Sequence, residues 1–155
     1  GGNMTKITSL LKKQVLLEDL EKTDLEKVAK IVKNLSFKKG EYLFREKEDT
    51  KGLYLINSGK VEVSKVTPDG WKQTLAVLRS GHFLGELSII EKRLHEATAV
   101  ALENTDVFLI EKKDFEKMEK QDTAVTSKVM KKLVLVMSKN LRRMNEKFLN
   151  SLISY

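Results

Sequence analysis

His82 and His95 are the only histidines in the chain, and cysteine is absent. Thiolate catalysis, disulfides and cysteine-ligated metals are thereby excluded, and two histidines far apart make a poor metal pair. No nucleophile stands beside a recognisable base, and the glycines do not follow the spacing of a phosphate-binding P-loop. Catalysis is not expected. The chemistry left open is recognition by carboxylates, glycine-punctuated turns and positive charge. The charge is uneven. From residue 122 onward lie Lys128, Lys131, Lys132, Lys139, Arg142, Arg143 and Lys147, opposed only by Asp122 and Glu146, so this tail carries most of the formal +7. Such a tail fits an acidic protein partner or nucleic acid, with a plain solvated face as the alternative.

These groups need elements to position them. Residues 5–34 carry Leu16, Leu17, Leu20, Leu25, Val28, Ile31, Val32 and Leu35 at three- and four-residue spacing, which predicts helices. Thr23 followed by Glu26 has the capping-box pattern and places a helix start near Asp24. Gly1-Gly2-Asn3 before Met4 is read as a cloning remnant and set aside.

Residues 36–110 change period. Gly40, Gly52, Gly59, Gly70, Gly81 and Gly85 separate short runs rich in β-formers. The runs are 42–44, 53–56, 61–66, 74–78, 97–102 and 107–110. Val61-Glu62-Val63-Ser64 alternates as a half-buried strand does. Pro68-Asp69-Gly70 and Asn57-Ser58-Gly59 supply turn chemistry, and Trp71 is expected to pack on its hairpin. Many short strands with regular turns predict a barrel-like roll or jelly roll.

Helical period returns after 112. A short helix is expected over 113–119, and Asp122 is placed to cap a longer one. Val129, Leu133, Met137, Leu141, Met144, Phe148 and Leu152 form its apolar stripe. Such a stripe exceeds what a small roll can cover, so pairing with a second copy is expected. The fold class is therefore α+β, mainly β: a domain over 5–121 and a dimerisation helix over 122–155. No apolar run approaches the ~20 residues that span a bilayer. The default compartment is cytoplasmic.

Three stretches carry a resemblance: Phe37-Lys38-Lys39-Gly40-Glu41-Tyr42-Leu43-Phe44-Arg45-Glu46, Leu53 to Val63 with Asn57-Ser58-Gly59, and Gly81-His82-Phe83-Leu84-Gly85-Glu86-Leu87-Ser88. Asp114-Phe115 adds to it. Segment 36–118 resembles the cyclic-nucleotide-binding domain of catabolite activator proteins, cyclic-nucleotide-gated channels and kinase regulatory subunits. The long C-terminal helix resembles the dimer helix of the bacterial transcription-factor branch. The resemblance implies a β-roll holding a nucleotide, with cyclic AMP or cyclic GMP as ligand, and a short helix from Gly85 through Glu86, Leu87 and Ser88 facing its phosphate. Glu86 matches the carboxylate used on the ribose hydroxyl. Asn140 falls where resembling proteins set a polar residue against the base.

The chain departs from that pattern at one place. Where the family has Arg-Ser-Ala or Arg-Thr-Ala, this sequence reads His95-Glu96-Ala97-Thr98. Histidine lacks the guanidinium fork, and Glu96 sets a negative charge toward a negative ligand. Arg93 lies two residues upstream, out of register. His95 is expected as a solvent-facing loop residue, with a phosphate contact or a pH-sensitive role as alternatives. His82 is expected to be structural or exposed.

A regulatory sensor that binds a cyclic nucleotide weakly, or a different small anion, is thus the leading expectation. Since no helix-turn-helix pattern follows residue 155, it is read as stand-alone. A ligand-free homodimer recruiting an acidic partner through its basic helix is the rival. A regulator that reads specific DNA is disfavoured, and no membrane association is expected.

Overall fold

The structure, a computed structural model, describes residues 2–153. Helix α1 (Gly2–Lys12) leads through a 3₁₀ turn (Val15–Leu17) into α2 (Lys22–Ala29). Eight strands follow: β1 (Val32–Phe37), β2 (Tyr42–Phe44), β3 (Gly52–Ser58), β4 (Lys60–Val66), β5 (Lys72–Arg79), β6 (Phe83–Leu84), β7 (Thr98–Ala101) and β8 (Thr105–Glu111). A second 3₁₀ turn (Glu86–Ile89) separates β6 from β7, and α3 (Lys112–Gln121) and α4 (Thr123–Ile153) end the chain. The strands form two antiparallel sheets, ordered β1-β8-β3-β6 and β2-β7-β4-β5. This is the β-roll with flanking helices.

The central strands β3 and β8 are buried on both faces, which is why they read as continuous apolar runs. Tyr54, Ile56, Val107 and Leu109 point into the roll, among Leu43, Phe44, Val61, Leu84, Ala99 and Ala101. Their neighbours Leu53, Leu55, Phe108 and Ile110 point the other way, onto a helical core of Leu11, Leu16, Leu17, Leu20, Leu25, Val28, Phe115 and Met118. Alternation of period two thus serves two cores at once.

Helix α4 joins the second core through Val125, Val129 and Leu133, each 1–2% exposed. Lys128 pairs with Asp24 at 2.9 Å, and Lys132 with Glu18 at 2.7 Å and Asp19 at 2.9 Å. Its N-terminal turns are therefore fixed to the N-terminal helices. Val129 and Leu133, expected in the dimer stripe, are spent inside their own chain. Beyond them Met137, Leu141, Met144, Phe148 and Leu152 are 37–65% exposed.

Three further expectations are corrected. The helical reading to residue 34 fails because Val32–Phe37 pairs along its whole length with β8, from Val32 opposite Ile110 to Phe37 opposite Thr105. Tertiary pairing overrides the local three-and-four spacing there. Helix α2 starts at Lys22 after Glu21, with no side-chain cap, so the Thr23–Glu26 box does not form. Asp122 does stand immediately before α4, where its carbonyl accepts from the amides of Val125 and Thr126 and its carboxylate pairs with Lys27 at 3.0 Å. Trp71 does not pack on its hairpin: it stands 76% exposed.

Candidate functional site

One wall of the site is the turn between β6 and β7. Gly85 adopts φ +74°, and a Cβ there would lie 2.7 Å from the Gly52 carbonyl oxygen. Only glycine combines the left-handed backbone with this close approach to β3. The following 3₁₀ turn carries Glu86, Leu87 and Ser88. Ser88 is buried, and its hydroxyl donates to the Gly85 carbonyl, so it braces the turn from within. Burial pushes the Glu86 carboxyl above the usual carboxylate range, against the opposing pull of its own amide and of Arg93.

Residues 93–97 complete this wall, held by the loop after β2. Lys47 N–H donates to the His95 carbonyl at 2.8 Å, His95 N–H donates to the Glu48 carbonyl at 2.9 Å, and the Thr50 hydroxyl donates to the Arg93 carbonyl at 3.1 Å. His95 is not solvent-facing. It is 7% exposed and lies flat on Phe44, with ring centroids 3.6 Å apart and planes 4° from parallel. Its Nε2 is buried without a hydrogen-bond partner. Burial lowers its pKa, with Glu48 pulling upward and Arg93 adding to the lowering.

Arg93 is brought to the site despite its register. Its guanidinium pairs with Glu91 at 2.9 Å and with Glu96. Glu96, expected to repel a phosphate, thus also occupies the cation nearest to it. Ala97 lines the site, whereas Thr98 opens β7 and its hydroxyl accepts the Glu46 amide at 3.0 Å. Thr98 is accordingly absent from the lining.

The opposite wall is α4. Between it and the roll lies a cavity of about 740 Å³, lined by Gly85, Glu86, Leu87, Ser88, Arg93, His95, Glu96 and Ala97 on one side. Val136, Lys139, Asn140, Arg143, Met144 and Lys147 face them from the helix. Asn140 is among the residues that line the cavity. Steps of three and four residues keep Lys132, Val136, Lys139, Arg143 and Lys147 on one face. The tail's positive charge, read from sequence only as a total, is concentrated on this face. Leu75 was also missed as a lining residue. Val63 pairs with Ala76 and Ser64 with Thr74, so Leu75 is the extra residue of a β-bulge, and it lines the cavity at 57% exposure. A loss of strict alternation in Thr74-Leu75-Ala76 was its only signal.

Residues 34–122 match the family model described as cyclic nucleotide-binding domain. The chain belongs to the cyclic nucleotide-binding domain family. This cyclic nucleotide-binding domain is 36% identical over 137 residues to the anaerobic regulatory protein of Bacillus subtilis, covering 87% of the chain and 56% of that protein. It is 32% identical over 79 residues to the cyclic AMP receptor protein of Thermus thermophilus, covering 51% of the chain and 37% of that protein. The chain thus spans about half the length of these curated relatives. In three dimensions it is similar to a cyclic nucleotide-binding domain from Methylobacillus flagellatus, with TM-score 0.83 and 21% identity over 97% of this chain and 84% of that one. The Thermus thermophilus catabolite activator protein follows with TM-score 0.77 and 23% identity, over 91% of this chain and 63% of that one. At these identities the structural likeness carries the fold. Among the described residues no helix is long and apolar enough to cross a membrane.

Proposed function

We propose that the chain is a non-catalytic sensor domain that takes a small ligand into the cavity between the roll and α4 and works as a homodimer through α4. One observation carries this reading: a cavity of about 740 Å³, within the ordinary range for small-molecule sites, lined by both the Gly85–Ser88 turn and the helix that bears the exposed apolar stripe. A ligand there touches both the roll and α4, so its binding biases the position of the helix.

Cyclic AMP and cyclic GMP are poor ligands in this proposal. The phosphate wall offers a neutral, buried His95 and an Arg93 already paired with Glu96. Several relatives are named as a regulatory protein, a receptor protein or a transcriptional regulator, which supports a regulatory role.

The test is a melting survey with cyclic nucleotides, nucleoside monophosphates and aromatic carboxylates. A cavity ligand at about 100 times its Kd stabilises by about 2.7 kcal/mol. Ala97→Trp, which places an indole in the cavity wall, should weaken or abolish that shift. A shift that persists unchanged in Ala97→Trp contradicts the assignment of the site.

A further inference from the structure

We infer that the ligand's acidic group docks on α4, at Arg143 flanked by Lys139 and Lys147, and not on the roll. This rests on the sensor reading and names the ligand's class: an apolar body with one acidic group at one end.

The charges around the cavity divide unequally. Arg93 is engaged by Glu91 and Glu96, and Lys132 by Glu18 and Asp19. Lys139, Arg143 and Lys147 have no ion pair or side-chain hydrogen bond among the described residues, yet all three line the cavity. They are spaced by one helical turn each, about 6 Å apart. Arg143 in the middle presents a planar fork suited to carboxylate, sulfonate or phosphate oxygens.

The roll wall has the opposite character. Glu86 and Glu96 are its acids, and its arginine is neutralised. At the same end His95 keeps a buried Nε2 without a partner. That nitrogen is enclosed by protein, so the roll end offers an anion neither a free cation nor an open donor. Between the two ends the lining is Leu75, Leu78, Phe83, Val136 and Met144. An anion entering with its charge toward Glu96 meets repulsion; turned about, it meets three cations. The ligand is then held to the helix by charge and to the roll by its apolar body.

The probe pair is anilinonaphthalene sulfonate and its uncharged counterpart N-phenylnaphthylamine, followed by fluorescence on the full chain. The sulfonate should bind at least about tenfold more tightly, the value of one charge-assisted contact. Lys139→Ala with Arg143→Ala should remove that advantage and leave the neutral probe unchanged. Lys131→Ala with Arg142→Ala, the same charge change on the other side of the helix, should leave both unchanged. Ala97→Trp should weaken both probes. Sulfonate binding that survives the Lys139/Arg143 change, or that Ala97→Trp leaves intact, overturns the inference. If the sulfonate instead depends on Arg93, the sensor reading stands and this polarity falls. Failure of both probes to bind contradicts both.

Discussion

His95 lies flat against Phe44 at 3.6 Å, and its Nε2 finds no partner in the protein. Sequence placed this imidazole on the surface; the fold makes it part of a buried wall, shielded from water by Phe44 and the loop after β2. Arginine at this position would carry its charge into the same buried stack. The simple restoration of the family's arginine is therefore expected to destabilise the roll instead of restoring a phosphate site.

The pH dependence has a defined sign. Burial lowers the His95 pKa below its ordinary 6.5, so the unfolded chain takes up a proton before the folded one does. Stability is therefore full above the ordinary value and falls as pH drops through it toward the lowered one. Glu48 and Arg93 set the size of the effect from either side. In His95→Phe, denaturation midpoints at about pH 5 and about pH 8 should lie closer together than in the native chain. An unchanged gap would show that His95 is not the titrating group. Glu86 has the opposite sign: its raised pKa makes stability fall as pH rises past that value, so Glu86→Gln should gain stability at neutral pH.

Helix α4 is expected to divide at residue 133 into an intrachain part and a pairing part. Leu133 is 1% exposed in its own chain and Leu141 is 59% exposed. Leu133→Ala should cost about 2–5 kcal/mol of unfolding free energy. Leu141→Glu should leave the melting of a dilute monomer unchanged but halve the mass seen by sedimentation, because it would bury an unpaired charge between helices. A native chain sedimenting as a monomer at tens of micromolar contradicts pairing through α4.

Gly85→Ala should destabilise by at least about 1–2 kcal/mol, from the left-handed backbone alone. The new methyl also meets the Gly52 carbonyl, so the loss should exceed that of Gly70→Ala, where φ is +88° and no atom lies within 4 Å. Equal losses would mean that contact with β3 is unimportant.

The basic tail should not confer sequence-specific DNA binding. Lys139, Arg143 and Lys147 face the cavity, and Lys128 and Lys132 are paired with acids. Competition between one duplex and scrambled duplexes at physiological salt should show no preference. Nanomolar selectivity for one sequence would contradict this.

The roll was legible because its signals are local. Turn glycines, alternation in Val61–Ser64 and the ordered Gly81–Ser88 stretch each follow from backbone rules. Strand β1 was hidden because its pairing with β8 is non-local, and its apolar residues imitate helical spacing. The turn at Gly85 and Glu86 was also readable. The state of Arg93 was not: its ion pair with Glu96 depends on how the turn after Ile89 folds back. The cationic wall was hidden for a similar reason. Its residues are regular along the helix, but only packing through Val125, Val129 and Leu133 decides which face meets the roll.

The central claim is that the roll's own anion position is closed by the Arg93–Glu96 pair. Calorimetry with cyclic AMP on the native chain and on Glu96→Ser tests it directly. The native chain should bind with a Kd weaker than about 10 μM, and Glu96→Ser, which removes one of the two acids on Arg93 and leaves only Glu91 paired with it, should tighten binding at least about tenfold. Submicromolar binding by the native chain, or no gain in Glu96→Ser, would contradict the account.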